Sequence, residues 1–512
     1  MARRAVMSVA DKTGIVDFAR DLIGAGWEII STGGTARTLR DNHIEVMEVR
    51  EVTSFPEILG GRVKTLHPAI HGGILARRDN PADLAQMQSN GIGFIDMVVC
   101  NLYPFVETAS RPDVTIDEMI EEIDIGGPTM LRAAAKNWMW TIPVCNPGRY
   151  PEIAREIRLT GDVDKVTRRD LALEVFNHTA TYDSAIAACL GGLWKGWPLD
   201  FPQELSLGYK RALSLRYGEN PHQKGAFYEP VIGGETPSIA KGQVQGKELS
   251  YNNIHDADGA YRTAWEFQTP ACCIVKHASP CGVATAATAK EAYEKAFEAD
   301  TVSAFGGVVA FNCPVDAGAA KAMKKLFIEV LLAPSFTPEA AETLRAKKDL
   351  RVIVAGEPLA KRFTVRTALG GLLLQEEDTL QPKDEEWQVV SKRAPTDQEI
   401  RDLRFAMTVC KHVRSNAVVL AKDGAVVGIG GGQPNRVDCV RIAVERGRGR
   451  VLESCMASDA FFPFPDSVEE AAKAGVSAIA HPGGSIRDQE SLAAADANGM
   501  AMVVTGKRHF LH

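Results

Sequence analysis

"RAVMSV" (residues 4–9) has the length and apolar content of a short strand, and the residues after it change period. "GIVDFARDLIGAG" (14–26) sets Ile15, Phe18, Ala19, Leu22 and Ile23 on one helical face and closes on glycines suited to a C-cap. "WEIIS" (27–31) returns to a strand, "TARTLRD" (35–41) to a helix and "IEVMEV" (44–49) to a third strand. This β-α-β-α-β order predicts a parallel sheet with helices on its faces, an α/β fold. Further along, "MVVCNLYPF" (97–105) reads as a buried strand running into a loop at Pro104. "RDLALEVFNHTATYDSAIAACL" (169–190) is the clearest part of a helical stretch.

With 512 residues the chain exceeds what one hydrophobic core serves, and about two to four domains are expected. "GGLWKGWPLDFPQE" (191–204), rich in Gly, Pro and Trp, breaks the helical period as inter-domain segments do. It divides the chain into a first domain, 1–198, and a second region, 199–512, long enough for two subdomains. Strands and helices mix again in that region, for example in "ACCIVKH" (271–277) and "SAFGGVVAF" (303–311). Asp423-Gly424, between two β-rich runs, is a hairpin signal. No short-period repeat and no low-complexity tract is visible.

The composition, 45% hydrophobic with a formal charge of −7, is that of a soluble globular protein. An acidic balance argues against general nucleic-acid or membrane-surface binding, while local basic patches remain open to anionic metabolites. The ten cysteines are scattered and none forms a CxxC pair. Neither a disulfide scaffold nor a metal finger is therefore expected, and a cytoplasmic protein with reduced thiols is. No apolar run approaches the roughly 18 residues of a membrane span. Asp11 and Lys12 interrupt the stretch after Arg3-Arg4 too soon for a targeting signal.

Three loops of the first domain carry polar clusters after strands: "ADKTG" (10–14), "STGGT" (31–35) and "GGRVKTLHP" (60–68). Ligands of parallel α/β sheets sit at the carboxyl ends of strands, where helix N-termini offer free N–H groups to a phosphate. Ser31, Thr32, Gly33, Gly34 and Thr35 suit such a cradle, with Lys12 and Lys64 supplying charge. The plainer reading is a Gly-Gly turn, Ser and Thr as caps, and surface lysines. In "EEIDIGGPTMLRAAAKNW" (121–138), Asp124 precedes a Gly-Gly-Pro turn and Lys136 ends an Ala-rich helix. A shared site and a capping Asp with a surface Lys are both open.

The second region holds "SLRYGENPHQ" (214–223), with Arg216, Tyr217, Asn220 and His222 in one broken loop, and "IVKHASPCGVA" (274–284). Strand neighbours face opposite ways, so Lys276 and His277 share a site only where the backbone bends, and Ser279-Pro280 is the expected bend. A lysine beside a histidine favours the neutral imidazole, which accepts a proton. A strand-end His with a solvated Lys is the competing reading. Asp466 with Glu469 has the spacing of a capping box. Phe461, Phe462 and Phe464 fit either the core or a flat wall for an aromatic ligand. Arg508, His509 and His512 at the end of the chain are unusual for a frayed tail.

In order along the chain, "GGRVKTLHP", "CNLYPF", "DIGGPTMLRAAAKN", "LRYGENPHQ", "VKHASPCG", "SAFGG", "GGGQPNR", "FFPFPDS" and "HPGGS" closely resemble the bifunctional purine-biosynthesis enzymes. These are phosphoribosylaminoimidazolecarboxamide (AICAR) formyltransferases joined to IMP cyclohydrolases. The likeness runs from "SVADKTG" to the final "RHFLH". It implies a first domain of methylglyoxal-synthase-like fold that closes the purine ring. It further implies a second region made of a duplicated cytidine-deaminase-like pair without zinc. That region would take its formyl group from 10-formyltetrahydrofolate, as co-substrate, in a homodimer with the site across the interface.

By motif position the resemblance makes His277 the proton acceptor and Lys276 the group that stabilises the oxyanion. It places Arg216, Tyr217, Asn253, Gly306, Glu329, Asn416, Arg436 and Arg508 on AICAR, with the arginines on its phosphate. Phe461, Asp466 and Ser485 would line the folate pocket. In the first domain Lys64, Tyr103, Asp124 and Lys136 would handle protons. Lys12, Thr32, Gly33, Gly34, Thr35, Arg62, Thr65, Asn101 and Gly126 would hold IMP or its precursor. No metal is implied. Two alternatives stand: an enzyme with one working half, and a nucleotide-sensing module, which needs phosphate loops but no acid/base set.

Overall fold

The computed structural model describes residues 2–195, 201–232, 238–358, 363–382 and 386–512. The chain forms two compact units, Met1–Lys210 with Glu229–Gly233, and Arg211–Tyr228 with Gly234–His512. The expected boundary at 198/199 lies outside the described residues. The segment thought to break the helical period does so later than expected, because the helix Lys165–Lys195 runs on through Gly191 and Gly192. Among the described residues no helix is long and apolar enough to cross a membrane.

In the first unit β1 (Arg3–Val9), β2 (Trp27–Ser31), β3 (Met47–Glu48), β4 (Met97–Asn101) and β5 (Ile142–Val144) form a parallel sheet in the order β3-β2-β1-β4-β5. Strands covered on both faces carry runs of consecutive apolar residues, and β1, β4 and β5 have them at Ala5–Met7, Met97–Cys100 and Ile142–Val144. Ala5, Met7, Val9, Met97 and Val99 enter one core with the helices Ile15–Gly24 and Tyr150–Thr160. Val6, Val98 and Cys100 enter the other, against the helices Pro68–Leu75 and Gly126–Lys136. The triplet Gly126-Gly127-Pro128 is not a turn ahead of that last helix but its first turn, since Pro is compatible with a helix start.

A ribbon of β6 (Tyr209–Leu215) and β7 (Gly225–Pro230) precedes the large sheet. The twelve strands of that sheet include β8 (Gln243–Gln245), β9 (Ala271–Lys276), β10 (Ser279–Thr285), β11 (Gly307–Phe311), β12 (Ile328–Ala333) and β13 (Arg351–Val354). After a hairpin, β14 (Phe363–Ala368) and β15 (Gly371–Glu376), come β16 (Gln388–Val389), β17 (Ala417–Lys422), β18 (Ala425–Gly431), β19 (Cys455–Ser458), β20 (Ala478–His481) and β21 (Ala501–Val504). The order β16-β21-β20-β19-β17-β18-β10-β9-β11-β12-β13-β8 reads the same from either end, half against half. In each half an antiparallel hairpin leads, two parallel pairings follow, and a short antiparallel strand closes the edge. The halves join where β10 meets β18 at Ala284 and Ala425. Helices Tyr251–Trp265 and Asp397–Cys410 share one core with alternate strand residues such as Cys273 and Val419, and separate cores fill the opposite face.

Each half also needs glycine for close helix packing. A Cβ on Gly282 would stand 2.0 Å from the Ala296 carbonyl oxygen, and one on Gly428 would stand 2.1 Å from that of Ala443. Helix Arg436–Gly447 rests on β18 because positions 428 and 430 have no side chain, a Cβ on Gly430 standing 1.9 Å from the Cys439 carbonyl oxygen. Gly428→Ala is expected to cost about 1–3 kcal/mol through overpacking, read as a lowered midpoint in thermal or urea unfolding.

Two local expectations change. The bend after Lys276 is not at Ser279-Pro280. These residues begin β10, and the turn is His277–Ala278 itself, with φ of 53° and 57°. The expected capping box of Asp466 and Glu469 is absent. Pro465 is the cap position and Asp466 is the first helical residue, where its charge suits the helix dipole instead.

Candidate functional site

At the carboxyl ends of β1, β2 and β4 the first unit has a cleft of about 590 Å³. Lys12, Thr32, Gly33, Gly34, Thr35, Arg62, Lys64, Thr65, Asn101, Tyr103, Asp124 and Gly126 all line it. Two helices start there. Gly33–Asp41 has no side-chain cap at Thr32, so its first N–H groups face the cleft without an intrahelical acceptor. Gly126–Lys136 presents Gly126 beside Thr65, whose Oγ1 would be 3.0 Å from a Cβ at 126. Positive dipole ends and N–H groups converging on one cleft suit a phosphate.

Some of the lining side chains are committed to the protein itself. Asn101 Oδ1 accepts from the N–H groups of Ala10 (2.6 Å) and Asp11 (2.9 Å), and its Nδ2 donates to the Asp11 carbonyl (2.9 Å). Thr35 Oγ1 accepts from Val9 N–H at 3.0 Å and from the Lys12 ammonium at 3.2 Å. Asn101 and Thr35 therefore shape the loops that form the cradle. Arg62 pairs with Glu121 at the rim.

Lys64, Asp124 and Tyr103, the sequence candidates for acid/base work, stand on the same wall. Lys64 Nζ lies 3.3 Å from Glu57 Oε1 and 3.6 Å from where a Cβ on Gly33 would stand, so its ammonium borders the cradle. Gly61, at φ +99°, leaves room for both partners: a Cβ there would be 2.7 Å from Glu57 Oε1 and from Lys64 Cε. Burial pushes the Asp124 carboxyl up, against the hydrogen bond it accepts from Gly127 N–H (2.8 Å) and another from Tyr103 N–H. Burial also pushes the Tyr103 phenol up, with Lys64 opposing. Tyr103 is thus a donor at neutral pH. Lys136 is not part of this set. It is exposed at the far end of an eleven-residue helix, about 15 Å from the end that lines the cleft.

Tyr182 has no obvious signal in the sequence, yet its hydroxyl donates to Glu122 O (2.9 Å) and accepts from Asp124 N–H (3.0 Å) across 58 residues. Only tertiary packing brings it under the loop that carries Asp124.

In the second unit the sequence candidates gather along one end of the large sheet. Lys276, at the end of β9, donates to the carbonyls of Gly306 (2.8 Å) and Phe305 (3.1 Å), and no carboxylate pairs with it among the described residues. His277 is exposed in the turn. Arg216 lies over the Tyr217 ring at 4.9 Å, and their loop meets the helix at Tyr251–Trp265 through Asn252 Nδ2 and Glu219 O (3.3 Å). Asn253 is spent in part on a capping box with Ser250. Glu329 is paired with Arg351 at 2.7 Å.

A second group lies beyond β18. Asn416 Oδ1 accepts from Arg436 at 2.6 Å. Arg436 is only 6% exposed and also donates to Ser458 Oγ (2.9 Å) and to the fully buried carboxylate of Asp459. The expected contact of Arg436 with a phosphate is therefore corrected: its charge is neutralised inside the protein, and it orients Asn416 instead. Asp459 also accepts from the Ser415 hydroxyl, and its carbonyl accepts from His509 N–H at 3.1 Å. His509 is buried against Asp378 (2.7 Å), which pins the terminal segment and leaves Arg508 exposed over Phe510. Of the three phenylalanines only Phe462 is core; Phe461 is 40% exposed, as a stacking wall requires. Ser485 Oγ accepts from Arg487 N–H at 3.1 Å, and Asp466 Oδ1 from Ser467 N–H at 2.7 Å.

From Glu329 on β12 to Arg508 beyond β21 the set spans eight strand spacings, about 38 Å at about 4.8 Å each. No mononucleotide reaches that far, so these residues of one protomer do not all meet one ligand. Among the described residues no three His, Cys, Asp or Glu side chains gather as metal ligands do.

The family model described as "AICARFT/IMPCHase bienzyme" matches residues 134–446, and one described as "MGS-like domain" matches 14–129. The chain is 51% identical over 520 residues to the protein named "Bifunctional purine biosynthesis protein PurH" of Desulfitobacterium hafniense (strain DSM 10664 / DCB-2), covering 100% of both. It is 49% identical over 516 residues to the protein of that name from Bacillus mycoides (strain KBAB4), again covering 100% of both. A solved structure titled "Crystal structure of ForH" is 36% identical and covers 37% of this chain and 100% of its own, with a TM-score of 0.34, too low to speak for the fold. With an MGS-like domain leading and the second match spanning more than half of its length, this chain belongs to the AICARFT/IMPCHase bienzyme family.

Proposed function

We propose that the two activities of this family divide between the two units, ring closure in the cleft of the first and formyl transfer along the sheet end of the second. The chain catalyses the AICAR formylation and IMP cyclohydrolase steps of IMP biosynthesis. The cleft is the observation that carries the assignment of ring closure: a phosphate cradle with Lys64, Tyr103 and a half-buried Asp124 on its wall. There the carboxamide nitrogen of formyl-AICAR attacks the formyl carbon, and the oxygen leaves as water. Tyr103, held protonated, donates to the formyl oxygen, and Lys64 stabilises the charge that develops on it. Asp124 takes up and returns protons. Lys136 has no part in this within one protomer.

For formyl transfer, 10-formyltetrahydrofolate is the co-substrate. The AICAR amine, conjugated to its ring, is a weak nucleophile and needs a base as it attacks. His277 takes that proton, Lys276 stabilises the oxyanion of the tetrahedral intermediate, and the folate nitrogen leaves with a proton. The exposed Arg216 and Arg508 are the free guanidinium groups of the set for a phosphate. Phe461, Asp466 and Ser485 receive the folate. The breadth of the set supports a homodimer in which each site draws residues from two copies. The symmetric strand order supports two cytidine-deaminase-like halves, and the cysteine spacing supports their lacking zinc. A cytoplasmic location fits a soluble metabolic enzyme.

Incubation with AICAR and 10-formyltetrahydrofolate yields IMP on this reading; formyl-AICAR accumulating without IMP sinks the assignment of the cleft. Asp124→Asn keeps the hydrogen bond from Gly127 but cannot take up a proton. It is expected to lower kcat for closure of supplied formyl-AICAR by about 10²-fold, with formyl transfer followed separately and unchanged.

A further inference from the structure

We propose that Asp256 is a positioning residue for formyl transfer: it holds the strained His277–Ala278 turn and so aims the imidazole. The inference rests on the reading of His277 as proton acceptor. β9 and β10 are joined by two residues, both at positive φ (53° and 57°), as a tight hairpin turn of this hand requires. Gly, Asn, Asp and, to a lesser degree, His tolerate that conformation; Ala278 adopts it at a cost in backbone energy. The other half of the sheet is the internal control. Its equivalent turn between β17 and β18 is Asp423–Gly424, at 53° and 67°, the kind of pair this geometry favours.

Both turns are tied down in the same way. Ala278 N–H donates to Asp256 Oδ1 at 2.6 Å, and Gly424 N–H donates to Asp402 Oδ1 at 2.9 Å. In each half the acceptor lies 22 residues before the donor, on the helix that precedes the hairpin. The flanking lysines match as well. Lys276 donates to the carbonyls of Phe305 and Gly306, and Lys422 to that of Leu452. The second half makes the bond across a relaxed turn. In the first half the same bond opposes strain where an exposed histidine follows a lysine in sequence. Outliers maintained by surrounding structure cluster at functional sites. Without Asp256 the turn is free to relax toward negative φ, which swings the imidazole off the line set by Lys276.

The test uses the full-length enzyme, with formyl transfer and closure of supplied formyl-AICAR assayed separately. Asp256→Ala is expected to lower kcat for formyl transfer by about 10- to 100-fold, the scale of a small misplacement of a reacting group. KM for AICAR stays within about threefold and ring closure is unchanged, since no substrate-binding contact is lost. Asp256→Asn, whose carbonyl still accepts the N–H, keeps most of the activity. Adding Ala278→Gly to Asp256→Ala removes the strain and restores most of kcat. Asp402→Asn, at the matching bond of the other half, leaves kcat within about twofold. An Asp256→Ala enzyme with wild-type kcat overturns the proposal, and so does a loss that Ala278→Gly does not relieve or that Asp256→Asn shares in full. If Asp256→Ala does not fold, Asp256→Asn and the Asp256→Ala/Ala278→Gly enzyme decide by the same criteria. Should His277→Ala itself leave formyl transfer intact, it is the assignment of His277 that fails, whatever Asp256 does.

Discussion

His277→Ala is expected to lower kcat for formyl transfer by about 10³-fold, within the range for a lost acid/base group, while closure of supplied formyl-AICAR proceeds at its normal rate. The first half of this expectation follows from the chemistry. A conjugated aromatic amine does not attack a formyl group unless its proton is accepted as the bond forms. Lys276, bound to two carbonyls, is a donor with no lone pair to offer while protonated. The second half follows from the architecture, because the acid/base set proposed for closure lies in a unit with its own sheet and cores. Loss of both activities in a folded His277→Ala enzyme would contradict the division into two sites. Retained formyl transfer would remove His277 from the chemistry.

Asp459→Ala is expected to destabilise the second unit by about 3–5 kcal/mol and to abolish formyl transfer with it. The carboxylate has no exposed surface and Arg436 is 6% exposed, so the variant leaves a buried guanidinium without its counter-charge. Ser415 loses its acceptor at the same time, and Asn416 its fixed partner. The sign of the effect depends on removing one partner only. A paired replacement, Arg436→Met with Asp459→Leu, costs less than Asp459→Ala alone, because no charge is then left buried. Calorimetry on the three proteins checks this. A paired variant as unstable as the single one would show that packing, rather than charge, is what Asp459 supplies.

Some candidates were legible in the sequence because their geometry is local. The glycines of 33–34 stand at a helix start that follows a strand, so position along the chain already placed them at one end of a sheet, and the cleft they line is found there. Asp423-Gly424 was readable as a hairpin because its residues prefer that turn intrinsically. His277–Ala278 was not, since Ala disfavours positive φ and the bend was sought at Ser279-Pro280 instead. Lys136 entered the acid/base set only through the resemblance, and within one protomer it stands at the far end of its helix from the cleft. Arg436 was expected on a phosphate by motif position in the resemblance, and only the buried Asp459 reveals that its charge is already met inside the protein.

By itself the sequence determined the α/β alternation, the parallel first sheet, the chemistry-bearing residue types and the family, because hydrophobic period and residue spacing act over a few turns of chain. Tertiary structure alone decided which charges remain free, which turn is strained and that the second sheet repeats its own order. Those properties depend on burial and on partners that meet across tens or hundreds of residues, and no local preference encodes who the neighbour will be.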